Sequence, residues 1–267
     1  MKITPIFVEN VEIVVEKQIS SLQNKKVKDL VRLKEKSRER KRTGLFLVEG
    51  EREIALALAG DYEVDSVYYN PDLLAIENLK QVFAGKSELE NLYSVSAEVY
   101  QKIAHRGTTE GVFALFKAKD HSVDSLKFKT ENPLVLVAEA PEKPGNIGAL
   151  LRTADAANDA VLIANPKTDP YNPNIIRSSV GGVFTTQLAT GNTVEIIEFF
   201  QKNNIDINCA ALQASKPYHQ VDFTGPSAIV MGTEATGLSQ EWLNNSAQNI
   251  VIPMSGKIDS MNVSVAA

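Results

Sequence analysis

Three short stretches in the second half of the sequence combine glycine, amide, hydroxyl and charged residues at spacings suited to gripping a polar ligand. The first is Pro144-Gly145-Asn146-Ile147-Gly148, running on to Arg152. The second is Met231-Gly232-Thr233-Glu234-Ala235-Thr236-Gly237-Leu238-Ser239. The third is Ile252-Pro253-Met254, followed by Ser260-Met261-Asn262-Val263-Ser264. Each follows an apolar run, so each falls at the end of a strand, where open α/β sheets build their ligand crevices.

In the first stretch the turn at Pro144-Gly145 leads into a helix from about Ile147. Gly148, Arg152 and Asp155 then share one stripe, beside an apolar stripe of Ile147, Leu151 and Ala154. Gly148 would leave room for a ligand to approach the guanidinium, which can fork onto a phosphate or steady an oxyanion. A surface Arg152 paired with Asp155 fits the same residues. In the second stretch the two glycines have the spacing of a phosphate-cradling loop, but Leu238 stands where such a loop needs lysine. A nucleoside-triphosphate site is therefore disfavoured, although the glycines still permit close backbone approach. Glu234 is the loop's one charged group, with an exposed unpaired carboxylate as the plain alternative. In the third stretch Asp259 or Ser260 could cap a helix, and Ser260, Asn262 and Ser264 offer short hydrogen-bonding groups. A purely structural cap is the competing account.

The elements that must hold these stretches read as follows. Leu134–Ala138, Val161–Ala164, Ile207–Leu212, Ala228–Met231 and Asn249–Ile252 are nearly all apolar, the pattern of parallel strands buried on both faces. Upstream, a weak strand around Val11–Val15 precedes an amphipathic helix over the basic segment. Strands then follow at Leu45–Val48, Asp65–Tyr69, near Tyr93 and at Val112–Phe116, with helices through Ile54–Leu58 and Leu79–Phe83. Polar residues separate the halves. The expected organisation is a first domain over residues 1–120, a linker over 121–133 and a second domain over 134–267.

Composition sets the outer bounds. The 267 residues suffice for two domains, and 43% hydrophobic with 23% charged content is that of a soluble globular chain. No stretch reaches the roughly 18 apolar residues of a membrane span. The N-terminus lacks the apolar core of an export signal, and one cysteine fits a reducing compartment. A cytoplasmic location is expected. Net charge is −5, yet Lys25, Lys26, Lys28, Arg32, Lys34, Lys36, Arg38, Arg40, Lys41 and Arg42 face only Asp29, Glu35 and Glu39 in one segment. Such asymmetry reads as an anion-facing patch on an acidic body, or more simply as a solvated helix face.

Together the three stretches resemble the motifs of the SpoU (TrmH-type) branch of the SPOUT RNA methyltransferases, in order, from about Leu134 to Ala267. The basic segment, Phe46-Leu47-Val48-Glu49-Gly50 and Gly111-Val112-Phe113-Ala114 resemble that family's ribosomal-protein-like RNA-binding domain. The resemblance implies a homodimer with a mostly parallel C-terminal sheet tied in a trefoil knot. It implies S-adenosylmethionine as cofactor and an RNA ribose 2′-hydroxyl as acceptor, in ribosomal RNA before transfer RNA. By position, Asn146, Arg152, Glu234 and Asn262 match the catalytic set. Gly232, Ile252 and Met261 match the cofactor contacts, with Leu212 and Gln213 as looser candidates. In the family the third motif opens a long terminal helix, whereas this sequence runs only to Ala267, and residues 1–18 have no counterpart.

Other chemistries are disfavoured. Cys209 lies in an apolar strand and reads as a core thiol, not a nucleophile. No Gly-x-Gly-x-x-Gly follows an early strand, which argues against a Rossmann-type methyltransferase. No metal site is expected, because methyl transfer from a sulfonium needs alignment and a relieved nucleophile. His105-Arg106-Gly107-Thr108-Thr109, Tyr171-Asn172-Pro173 and Ser178-Ser179-Val180-Gly181-Gly182 could touch RNA or serve as ordinary loops. A catalytically silent RNA-binding assembly factor is the alternative from another functional class.

Overall fold

The ten cations between Lys25 and Arg42 do not share one helix. A computed structural model, describing residues 12–84, 88–105, 110–157, 159–233, 235–257 and 261–267, breaks the segment at Lys36, whose backbone is extended (φ −120°, ψ 111°). Of the expected site residues, Glu234 and Ser260 lie outside the described residues, as do Asp259 and residues 106–109. The chain divides after Lys119 into two compact units.

The first unit comprises β1 (Glu12–Ile19), α1 (Lys25–Glu35), α2 (Ser37–Thr43), β2 (Leu45–Glu49), α3 (Glu51–Ala59), β3 (Val64–Tyr69), α4 (Ile76–Val82), β4 (Glu88–Val95), α5 (Ala97–Ile103) and β5 (Val112–Lys117). Its sheet has the order β1-β4-β3-β5-β2, with β4 parallel to both neighbours and β5 antiparallel to both of its own. Val27, Leu30 and Leu33 bring α1 onto one sheet face, where they meet Tyr100 and Ile103 of α5 and Leu47, Tyr68, Tyr93 and Leu115 of the strands.

That packing explains the broken helix. Arg40 is buried at 5% exposure, and its Nη1 donates to the Leu33 and Lys34 carbonyls at 2.6 and 3.1 Å. Those carbonyls end α1 and would otherwise lack partners. Lys34 in turn donates from Nζ to the Ile103 and Ala104 carbonyls at the end of α5, at 2.7 and 2.9 Å, and burial pulls its ammonium pKa down. Two of the ten cations therefore hold the fold. The other eight are exposed, Lys26 over the Tyr93 ring at 4.3 Å and Arg32 and Arg42 beside Asp29 and Glu39.

The second unit comprises β6 (Leu134–Glu139), α6 (Pro144–Ala157), β7 (Ala160–Ala164), α7 (Pro173–Ser178), α8 (Gly182–Thr185), β8 (Gln187–Gly191), α9 (Thr193–Lys202), β9 (Asp206–Ala210), β10 (Ser215–Pro217), β11 (Ser227–Met231), α10 (Gln240–Asn244), β12 (Gln248–Val251) and α11 (Val263–Ala266). The seven strands form one parallel sheet in the order β10-β12-β9-β11-β6-β7-β8. The last two strands in the chain thus lie inside the sheet, not at its edge. Residues 121–133 run along this unit, with His121 Nδ1 2.8 Å from the Leu188 carbonyl and Val123, Leu126 and Phe128 against its core.

Strand alternation sorts the helices onto two faces. Val135, Val137, Ile207, Cys209, Ala228 and Val230 pack on Ile196 and Phe200 of α9 and Trp242 of α10. Leu136, Ala138 and Met231 pack on Leu150 of α6, with Val263 and Ala266 of α11 alongside. Among the described residues no helix is long and apolar enough to cross a membrane.

The division of labour among the cations is open to measurement. Arg40→Met should cost about 2–3 kcal/mol in urea unfolding, the range for charged hydrogen bonds lost from buried carbonyls. Lys41→Gln, one residue on and exposed, should stay within about 0.5 kcal/mol.

Candidate active site

The C-terminal edge of the second sheet carries two cavities, one on each side of the point where β11 ends. The first, about 540 Å³, is lined by Glu139, Lys143, Asn146, Lys167, Gly232 and Ser239, among others. The second, about 530 Å³, is largely apolar, with Leu212, Tyr218, Met231, Ile252, Met254 and Met261 in its wall. Met231 faces the second cavity and Gly232 the first, so one peptide step of β11 separates them. α11 does the same, sending Val263 to the first and Val265 to the second.

The polar cavity owes its wall to a self-closing loop. Thr233 and Gly237 exchange backbone hydrogen bonds of 3.1 and 3.0 Å, and Thr233 Oγ1 lies 2.8 Å from Thr236 Oγ1. Gly237 takes φ +67°, which glycine supplies without strain. Gly232 is required for a different reason. A Cβ there would stand 2.3 Å from the Gly237 carbonyl carbon and 2.5 Å from the Leu238 nitrogen, so its bareness serves the loop's own closure.

The first and third motifs meet directly. Asn262 Nδ2 donates to Asn146 Oδ1 at 3.2 Å across 116 positions of sequence. Asn262 Oδ1 meanwhile accepts from Ser264 N at 2.9 Å and so caps α11. Asn146 sits in the first turn of α6, which starts at Pro144, three residues before the expected start, because proline suits a first helical position.

Arg152 is not gathered with these groups. It lines neither cavity. Six residues beyond Asn146 on a helix, it lies about 9 Å further along the axis and on another face. It is exposed and makes no hydrogen bond or ion pair with any described residue. Asp155, its expected alternative partner, accepts instead from the Thr185 hydroxyl. Gly148 does not open space beside the guanidinium either. A Cβ at that position would fall 2.0 Å from Ser178 Oγ and 2.7 Å from Ser179 N, so the glycine lets α7 pack on α6.

Of the expected cofactor contacts, Ile252, Met261 and the looser candidate Leu212 share the apolar cavity, while Gly232 lines the polar one and Gln213 neither. Glu139, Lys143 and Lys167 escaped the sequence reading, and Ser239 entered it only as the end of the second motif, with no role. Glu139 alone carried a signal, as an acidic residue closing an apolar strand. Cys209 is the core thiol expected, with burial pushing its pKa up to about 11. No group of three metal-ligating side chains occurs among the described residues.

Comparison with known proteins places this geometry. Residues 133–267 match the model of the SpoU rRNA Methylase family, and residues 24–114 that of the MRM3-like substrate binding domain. The chain is 28% identical to the 23S rRNA (guanosine(2553)-2'-O)-methyltransferase RlmP of Bacillus subtilis over 94% of this chain and 96% of that one. It resembles the crystal structure of an RNA 2'-O ribose methyltransferase at 33% identity and TM-score 0.77, over 94% and 95% of the two chains. It also resembles an AdoMet-bound rRNA methyltransferase from Sinorhizobium meliloti at 26% identity and TM-score 0.84, covering 94% of each.

The two conspicuous residues of α6 should separate in a stability assay. Gly148→Ala should lower unfolding free energy by about 1–3 kcal/mol, the range for overpacking. Arg152→Ala should change it by less than about 0.5 kcal/mol. Thermal and urea melts of the two variants read both values.

Proposed function

We propose a function from one premise: the chain belongs to the SpoU rRNA methylase family. It transfers a methyl group from S-adenosylmethionine to a ribose 2′-hydroxyl of ribosomal RNA, in the cytoplasm. The observation that carries this reading is the pair of adjoining cavities, one apolar and one polar, with the Asn146–Asn262 hydrogen bond linking the motifs that border them. Kinship with 23S rRNA enzymes supports ribosomal RNA as the substrate.

The apolar cavity fits the cofactor. Its 530 Å³ falls within the roughly 300–1,000 Å³ of small-molecule sites, and Leu212, Ile252 and Met261 offer flat apolar contacts for an adenosyl group. When bound there, S-adenosylmethionine supplies an electrophilic methyl group on a sulfonium. The chain's residues do the rest. Asn146 and Asn262 orient the acceptor ribose, and Gly232 shapes the loop that carries Glu234, the remaining polar companion. Arg152, exposed and unpaired among the described residues, grips the RNA phosphate beside the acceptor and so holds the ribose in place. A guanidinium keeps its proton until above about pH 12, so the 2′-hydroxyl proton passes to phosphate or solvent.

The exposed cations of α1 and α2 contact the RNA backbone, and two copies of the chain form a homodimer. Placement of β11 and β12 inside the sheet supports the family's knotted path.

Tritium transfer from S-adenosylmethionine to in vitro transcripts of 23S rRNA tests the reading, with tRNA transcripts as the parallel arm. Label on the 23S transcript is expected. Label on tRNA alone would move the substrate, and no label together with no calorimetric binding of S-adenosylmethionine would make the chain a silent binder. Arg152→Ala should lower kcat by about 100-fold, through misplacement of the acceptor, while S-adenosylhomocysteine affinity stays unchanged. Neutral substitutions at Lys25, Lys28, Lys36 and Arg38 should flatten the salt dependence of RNA binding by about 0.7–0.9 per lost phosphate contact.

A further inference from the structure

Glu139 is the last residue of β6 and 93% buried by its 7% exposure. Being odd-numbered like Val135 and Val137, it points to the face covered by α9 and α10. Its Oε2 accepts from the Ser239 amide at 2.8 Å, and its Oε1 from the Thr193 hydroxyl at 3.4 Å. Thr193 Oγ1 accepts in turn from Asn165 Nδ2 at 2.9 Å. Among the described residues no cation pairs with the carboxylate. Its charge sits instead where α9 begins, and the helix N-terminus compensates part of it.

A buried carboxylate without a cation is costly to keep, and an apolar residue would fill the same space more cheaply. Its reach explains the cost. The loop from Gly232 to Ser239 leaves β11 at Met231, which pairs with Ala138 in the ladder, so Glu139 stands next to the loop's origin. Through Ser239 it also holds the loop's far end. Beyond the strand ladder, this is the hydrogen bond that ties the described residues of the loop to a distant part of the chain.

We propose that Glu139 is a positioning residue for methyl transfer: by clamping the Ser239 amide it fixes the Gly232–Ser239 loop, and with it the polar cavity wall. The proposal rests on the enzyme reading above. Glu139 lies in the wall of the polar cavity with its two oxygens engaged by Ser239 and Thr193, and it acts through the loop.

Glu139→Gln keeps an oxygen that accepts from the Ser239 amide, whereas Glu139→Leu removes both acceptors. Ser239→Pro deletes the donor from the other end, at a residue whose φ of −65° already suits proline. With 23S rRNA transcript as substrate, Glu139→Leu and Ser239→Pro should each lower kcat by roughly 100-fold, as for about 1 Å of misplacement. The RNA KM should move little, and Glu139→Gln should recover most of the loss. The Leu and Pro losses should also not multiply in the double variant, because both remove the same Ser239–Glu139 bond. A folded Glu139→Leu enzyme with kcat within about 3-fold of wild type would overturn the proposal, as would multiplicative losses. If Glu139→Leu fails to fold, Ser239→Pro against wild type decides alone. Failure of the wild-type chain itself to transfer methyl would instead sink the enzyme reading.

Discussion

The chemistry of this chain depends on hydrogen bonding along both sides of β11. That strand is locked between β9 and β6, and β12 between β10 and β9, so neither can shift without breaking two ladders. In a parallel sheet all strands end on the same edge, and every loop that leaves them emerges together. Residues as far apart as Asn146 and Asn262 are thereby delivered within hydrogen-bond reach. Placing the final strands at the sheet margin would have scattered the same motifs along its width.

The electrostatics of that edge divide by depth. Lys143 and Lys167 line the mouth of the polar cavity, and Arg152 stands exposed on α6. Glu139 lies beneath, buried in the cavity wall, and among the described residues it accepts from the neutral donors Ser239 N and Thr193 Oγ1. An exposed guanidinium can still seek an anion, whereas a buried carboxylate can only hold what folding has placed beside it. Exposed cations and a buried carboxylate thus occupy different layers of one edge. The first unit repeats the division with cations alone, since Arg40 and Lys34 bind carbonyls while their neighbours face solvent.

Much of this was legible before any coordinates. Continuous apolar runs announced β6, β7, β9 and β11 because both their faces are covered, and β12 through Ile250-Val251-Ile252 although it is only half-buried. β8 escaped notice because Gln187-Leu188-Ala189-Thr190-Gly191 is an edge strand of mixed composition. α5 was also passed over, although Ser96 as N-cap followed by Val99, Tyr100 and Ile103 at helical spacing would have revealed it. The glycines were harder. Gly148 and Gly232 both looked like room for a ligand, yet each is bare because another segment of backbone crosses it. Spacing shows that a side chain is missing, but only packing shows what takes its place.

The separation of the two cavities bears on mechanism. In-line methyl transfer needs donor and acceptor to approach from opposite sides of one carbon. A single cavity holding both would leave their mutual angle to chance, whereas two cavities meeting at a narrow boundary impose it. Here the boundary is one peptide step of β11 on one side and the short helix α11 on the other. The first is held by its ladders, and the second by the Asn262 cap and its bond to Asn146. Arg152 stands outside both cavities, so the proposed grip on the RNA backbone would leave the alignment at the junction undisturbed.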